Sequence, residues 1–291
     1  MKPFVSIEKI QPVRLGRIAY VNVDPIYYGL EHSGKPDWLE IVSAPPSELN
    51  QKLFDGTLDI SSVSAFAYAP RQKDWLLLPD FCVACTGNVL SVLLVSRHPI
   101  EALSGKRIYV TDESATAASL IRLVLKMRHV SPAYETGKIL KPEDIPEDFS
   151  AALVIGDTSL RENWHAAFPH VWDLGDLWSE LTGLPFVFAV WAVRKSFAKA
   201  HPETVATVLT LLKESRRIGL LHLEEVATSA AARLRVKKSV CDKYFGNFCF
   251  SLRPPQLKGL TAFFHHLHEE GFFSEPIALS FFQEPGSAVE K

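Results

Sequence analysis

The chain has 291 residues, of which 47% are hydrophobic and 22% charged, with a formal net charge of -2 at pH 7. That is length for about two domains of roughly 100–200 residues and apolar content that excludes a disordered chain. A near-neutral balance without a run of Lys or Arg lacks the basic face that displaces counterions from phosphate, so nucleic acid is not the expected partner.

In chain order, residues 17–21 read as a first strand, broken by Asn22-Val23-Asp24-Pro25, with Pro25 suited to the first turn of a helix through Tyr27, Tyr28 and Leu30. A short strand follows at 39–42. A helix then starts at Pro45-Pro46-Ser47 and stops at Gly56, and a strand at 60–64 leads into a helix around Phe66 and Tyr68. Residues 89–95 form a β-branched and leucine-rich run that suits a strand buried on both faces. A strand at 105–110 precedes a helix opened by Ser114, whose apolar positions Leu120, Ile121, Val124 and Leu125 share one helical face. Residues 151–155 are a buried strand ending at Gly156-Asp157, and 184–193 a second long apolar strand. Helical patterns cover 205–219, 223–234 and 257–270, and no sequence repeat is evident. Alternating strands and helices predict an α/β fold with helices packed on a parallel or mixed sheet.

The longest strongly apolar run, 184–193, falls short of the ~20 residues of a spanning helix. The first eight residues carry an acid and a proline in place of a signal core. The expectation is a cytoplasmic protein with no membrane partner. Cys82 and Cys85 make a C-x-x-C pair, but an apolar setting and the spacing of Cys241 and Cys249 favour ordinary buried thiols over a zinc ribbon. His265, His266 and His268 fit a solvated helix face better than a metal site, and no metal is expected.

The order of elements suggests two crossings between lobes. One lobe would comprise residues 1–96 and 190–291, the other 97–189, with the apolar strands near 91–95 and 188–193 as hinges and a ligand cleft between. Ligands of open α/β sheets lie where strands end and helices begin. Four such places carry small polar groups: Asn22; Ser61 with Ser62; Thr111 with Ser114 and Thr116; and Gly156 with Asp157. Helix N-termini bind carboxylates through free N–H groups without Lys or Arg, which suits an anionic metabolite on a slightly acidic protein. Each group also has a plainer reading as a helix cap. Ser91, inside an apolar run, needs a partner for its hydroxyl, either neighbouring backbone or a ligand. No G-x-S-x-G elbow, Walker A loop or G-x-G-x-x-G is present.

Several segments, in order, carry a family likeness: YVNVDPIYY at 20–28, GTLDISSV at 56–63, GNVLSVLLVS at 87–96, IGD at 155–157, DLG at 173–175, Trp178, and TGLPFVFAVW at 182–191. The pattern resembles chorismate dehydratase of the futalosine route to menaquinone, and covers about residues 16–194. The resemblance implies a two-lobed periplasmic-binding-protein type II fold with two hinge crossovers. It also implies conversion of chorismate to 3-[(1-carboxyvinyl)oxy]benzoate and water without a cofactor. On the same basis Asn22 and Ser91 belong at the reacting centre, and Ser61, Ser62, Ser114 and Thr116 hold carboxylates. The base is Asp157, Asp24 or, as the favoured choice, the substrate's own enolpyruvyl carboxylate. This chain carries Ala117 where the family often has a further Ser. The competing readings are 1,4-dihydroxy-6-naphthoate synthase, a related family of the same fold, and a non-catalytic small-anion binding protein.

Overall fold

The computed structural model describes residues 12–286. The N-terminal stretch read as lacking a signal lies outside the described residues, as do residues 287–291; just before the latter, Glu284 pairs with Lys213 at 3.0 Å.

From the N-terminus the elements are β1 (Val13–Ile18), α1 (Asp24–His32), β2 (Leu39–Ala44), α2 (Pro46–Phe54), β3 (Ile60–Ser64), α3 (Ala65–Tyr68) and β4 (Trp75–Cys85). Next come β5 (Val92–Ser96), β6 (Arg107–Thr111), α4 (Ala115–Met127), β7 (Ala133–Gly137), β8 (Ala151–Ile155), α5 (Asp157–Arg161), α6 (Trp164–Ala167), β9 (His170–Asp173) and α7 (Leu174–Thr182). The chain closes with β10 (Phe186–Arg194), α8 (Lys195–Ala200), α9 (Pro202–Leu221), α10 (Leu223–Leu234), α11 (Lys238–Gly246), β11 (Phe248–Cys249) and α12 (Pro254–Glu269).

Among the described residues the strands form two sheets, in the orders β11-β4-β10-β3-β1-β2 and β7-β6-β8-β5-β9. Each sheet is built on one plan. Three strands run parallel (β2, β1, β3 in the first sheet; β7, β6, β8 in the second). An antiparallel strand follows, β10 against β3 and β4 in the first sheet, β5 against β8 and β9 in the second. This repetition lives in topology and leaves no mark on the amino-acid order.

The pairing moves the crossings from where the sequence put them. All of β5 is hydrogen-bonded into the second sheet and all of β10, from Phe186 onward, into the first. The chain therefore changes sheet in the connections just before these strands, at residues 86–91 and 183–185, rather than along the strands themselves. A strand deep in a ladder has its backbone groups committed, so bending falls to the connection. The first connection is shaped by Asp173, at the end of β9. Its carboxylate accepts from the amides of Val89 (2.9 Å), Leu90 (2.6 Å) and Gly175 (2.9 Å). Leu90 takes a φ of 64°, and this ends the expected 89–95 strand at its N-terminal side.

The core runs through both layers. In the first lobe Tyr27, Phe81 and Trp191 meet under the first sheet, with Trp191 tilted against both rings. In the second, Leu120, Ile121, Val124 and Leu125 of α4 are fully buried, as their helical spacing requires. Of the cysteines, Cys82, Cys85 and Cys241 are buried free thiols and Cys249 is partly exposed. His265 and His266 both face Glu269 on α12, at 3.2 and 3.4 Å. No helix of the described residues is long and apolar enough to cross a membrane.

Candidate active site

The two sheets turn the C-terminal ends of β1, β3, β6 and β8 toward a shared narrow cleft, lined by Tyr20, Asn22, Ser64, Ser91, Ser114 and Gly156, with an apolar wall that includes Val92, Ile155, Phe188 and Phe248. Among the described residues that line it none carries a charge. A roomier depression beyond β5 and β9 contains neither Asn22 nor Ser91, and its Glu162, Asp173, Asp176 and Glu180 would repel an anion.

Asn22 sits in a single 3-10 turn, Val21–Val23, between β1 and α1. Its Oδ1 is buried with no hydrogen-bond partner. A buried carbonyl oxygen without a donor costs about 1–3 kcal/mol, a cost that a donor on a ligand removes. Ser91 is 3% exposed. Its backbone carbonyl accepts from the Gly156 amide at 2.8 Å, which joins the crossing to the end of β8. Ser114 is the N-cap of α4 and its hydroxyl accepts from Ala117 N–H at 3.3 Å. The cap and ligand readings of Ser114 therefore coincide, since a capping hydroxyl at the mouth of a 13-residue helix also marks the helix's free N–H groups. Gly156 has φ 67° and ψ -149°, a region essentially restricted to glycine. A Cβ there would stand 2.9 Å from the Tyr20 ring, so glycine also lets Tyr20 close over the site.

Five of the expected ligand groups point elsewhere. Ser61 and Ser62 lie inside β3, not at its end. The Ser61 hydroxyl donates to Ser62 O at 2.9 Å and packs on Gly16, where a Cβ would come within 2.1 Å of it. The Ser62 hydroxyl accepts from Ile18 N–H at 3.0 Å and donates to Gly16 O at 3.3 Å, splicing β3 to β1. Thr111 accepts from Glu113 N–H at 3.4 Å in the turn before α4. Thr116 accepts from Phe66 N–H at 2.8 Å, a bond from the second lobe to α3 in the first. Asp157 accepts from Val21 N–H at 3.1 Å, again between lobes. Burial raises the Asp157 pKa, and the Val21 amide lowers it by less.

Together with the Tyr20 hydroxyl, which donates to Glu113 at 2.7 Å, Thr116 and Asp157 form a set of bonds that join the lobes around the cleft. The sequence correctly marked Thr116 and Asp157 as polar groups at helix starts, but they hold the lobes together instead of facing the cleft. Asp24, a candidate base, is buried between Arg17 and Arg233, each 2.6 Å away. Burial carries its pKa up to about 6 against the pull of those two cations. It does not line the cleft. The sequence reading missed Ser64, whose hydroxyl accepts from Asn50 Nδ2 at 3.3 Å while lining the cleft. Its place immediately before α3, where Ser is a favoured N-cap, was the available signal.

Such an arrangement suits an anionic, largely carbocyclic ligand. The apolar wall takes a ring, and hydroxyls, an orphaned amide oxygen and helix N-termini take polar groups. Residues 13–269 match the model of a family described as menaquinone biosynthesis. A chorismate dehydratase of Thermus thermophilus is 36% identical over 271 residues, covering 87% of this chain and 94% of that one. A 1,4-dihydroxy-6-naphthoate synthase of the same organism is 27% identical, covering 74% and 77%. Among solved structures, the periplasmic aliphatic sulphonate binding protein of Escherichia coli superimposes with a TM-score of 0.63 at 15% identity, covering 96% of this chain and 94% of that one, so the fold is that of the periplasmic binding proteins. A match over nearly all the described residues, together with a relative this similar along its whole length, settles kinship: the chain belongs to the menaquinone-biosynthesis family.

Proposed function

We propose that this protein is a cytoplasmic lyase that removes water from chorismate, without a cofactor, to give 3-[(1-carboxyvinyl)oxy]benzoate. The observation that carries the reading is the uncharged cleft in which Asn22 and Ser91 meet, taken with the 36% identity to a chorismate dehydratase.

The reaction removes the proton from C3 and the hydroxyl from C4 of the ring. As the C3–H bond breaks, its electron pair spreads through the diene into the ring carboxylate. It then returns to form the new double bond while the C4–O bond breaks, and the departing hydroxide takes up the proton that the base removed from C3, leaving as water and restoring the base. The product ring is aromatic, so the driving force is intrinsic and the protein's task is geometry and charge.

Asp24 is held by two arginines and Asp157 by the Val21 amide, so neither carboxylate is free in the cleft. The enolpyruvyl carboxylate of the substrate, tethered to C3 by its ether, serves as the base. Ser91 donates to the oxygen that gains charge. The Asn22 amide, with a free acceptor, takes the hydrogen bond of the C4 hydroxyl and orients it for departure. The N-terminus of α4 at Ser114 receives a carboxylate. Closure of the lobes excludes water, which keeps the dianion and its developing charge in contact with protein donors.

The test is to incubate purified protein with chorismate and resolve the products by liquid chromatography with mass detection. The expected result is an aromatic product lighter than chorismate by one water, with turnover lost in Asn22→Ala and Ser91→Ala at unchanged fold. Unchanged chorismate with a folded protein would turn the reading toward naphthoate synthesis or simple binding.

A further inference from the structure

Two neighbouring residues at the end of β8 each hold the backbone beside one of the two polar groups at the heart of the cleft. The Gly156 amide donates to the Ser91 carbonyl at 2.8 Å. The Asp157 carboxylate accepts from the Val21 amide at 3.1 Å, across the cleft. Val21 opens the 3-10 turn that carries Asn22, and Tyr20, which precedes it, gives that turn no side-chain cap. A free amide at the start of a helical turn needs an acceptor, and here the opposite lobe supplies it. The far end of the turn is tied within the first lobe, where Asp24 meets Arg17 and Arg233, each at 2.6 Å. The near end is tied to the second lobe. The Tyr20 ring, packed on Gly156, leaves room there for no side chain, so the two segments meet in one register.

We propose that Asp157 is a positioning residue that sets the separation of Asn22 from Ser91. Its neighbour Gly156 grips the Ser91 carbonyl, and its own carboxylate grips the amide one residue before Asn22. Asn22 thus takes its place opposite Ser91 only when the lobes close and this bond forms. The property used is the reach of the Asp157 side chain, not its charge, because a backbone amide needs only an oxygen at the right distance. Asparagine presents that oxygen at the same reach without the charge. Glutamate keeps the charge but adds a methylene, which pushes the turn away. A general base, or a carboxylate serving through its charge, would rank the two replacements the other way. The proposal rests on the dehydratase reading for what Asn22 does to the substrate, but not for the alignment of its turn.

Asp157→Asn, Asp157→Glu and Asp157→Ala test it together. A displacement of about 1 Å at a reacting centre costs up to about 100-fold, so kcat should fall about 10- to 100-fold in the Glu and Ala variants and stay within about threefold of wild type in Asp157→Asn. Asp157→Ala combined with Asn22→Ala should lose no more than Asn22→Ala alone, since the first acts through the second. Glutamate outperforming asparagine, or a loss confined to KM, would overturn the proposal, the latter leaving Asp157 a latch between lobes and nothing more. NMR of the four folded proteins judges the alignment without substrate. Expected are slow exchange at the Val21 amide and one sharp pair of Asn22 side-chain amide signals in wild type and Asp157→Asn, with faster exchange and broadened or split signals in the Glu and Ala variants. Identical Asn22 signals in all four would overturn the alignment. Chorismate left unchanged by wild type, with the Asn22 signals differing as expected, would overturn the dehydratase reading and leave the alignment standing.

Discussion

Thr116→Val probes closure of the lobes with little change of shape. The Thr116 side chain is 1% exposed, and its oxygen is the acceptor for the Phe66 amide at 2.8 Å. Valine matches the threonine in size but leaves that amide facing a methyl group. In the closed form the donor is then shut away from water, whereas in the open form water satisfies it. The penalty thus falls on the closed form and amounts to about 1–2 kcal/mol, or a shift of roughly 5- to 30-fold toward open. Substrate affinity drops by the same factor when binding draws on closure. Hydrogen exchange at the Phe66 amide, read by NMR or mass spectrometry, reports the bond directly, and KM for chorismate reports its effect. Faster exchange at Phe66, KM raised about 5- to 30-fold, and recovery of both in Thr116→Ser are expected. Unchanged exchange at Phe66 together with KM within about twofold of wild type would refute the reasoning.

Gly156→Ala forces a side chain into a glycine conformation and against the Tyr20 ring. The expected cost is about 1–3 kcal/mol, seen as a lower denaturation midpoint, with turnover impaired beyond the loss of folded protein; an unchanged midpoint would contradict the strain. Ser62→Ala loses the bonds to Ile18 and Gly16, so it lowers stability by about 1–2 kcal/mol while kcat of the folded fraction stays at wild type; a fall in kcat at unchanged stability would return Ser62 to the site. The Asp24 carboxyl titrates near pH 6 in the folded protein, above its ordinary 3.8. The folded state therefore holds an extra proton between about pH 4 and 6, and wild type loses stability relative to Asp24→Asn as pH rises through that window, by about 2–3 kcal/mol. Thermal melts of the pair at pH 4 and 6.5 decide it, parallel behaviour counting against the assignment.

Where the amino-acid order alone determines an element, reading and structure coincide. The strand at 151–155 and the helix at 223–234 fall as their apolar patterns dictate. β4 escaped notice because Pro79 and Asp80 argue against a strand. The fold absorbs them, with Asp80 at φ 68°, register shifts against β10 and the Asp80 carboxylate on Arg216. The 89–95 strand came out shorter because its first amides are captured by Asp173, about eighty residues away, and no local pattern announces such a partner. The same limit governs the site. Composition marks small polar residues at strand ends, but whether a hydroxyl faces the cleft (Ser114) or the opposite lobe (Thr116) depends on packing that only the folded chain defines.

The place of β10 bears on how this chain comes to be folded. The second sheet is drawn from one continuous span, β5 to β9, and can assemble as soon as residue 173 has been made. The first sheet cannot. Its middle position stays empty until β10 arrives, so β3 and β4, made more than a hundred residues earlier, wait with their inner edges bare. Unpaired edges of this kind recruit other chains. The growing polypeptide is thus most exposed to misassembly between the completion of β4 and that of β10, and covering those edges over that interval with a bound chaperone should raise the yield of folded protein more than any change within the second lobe.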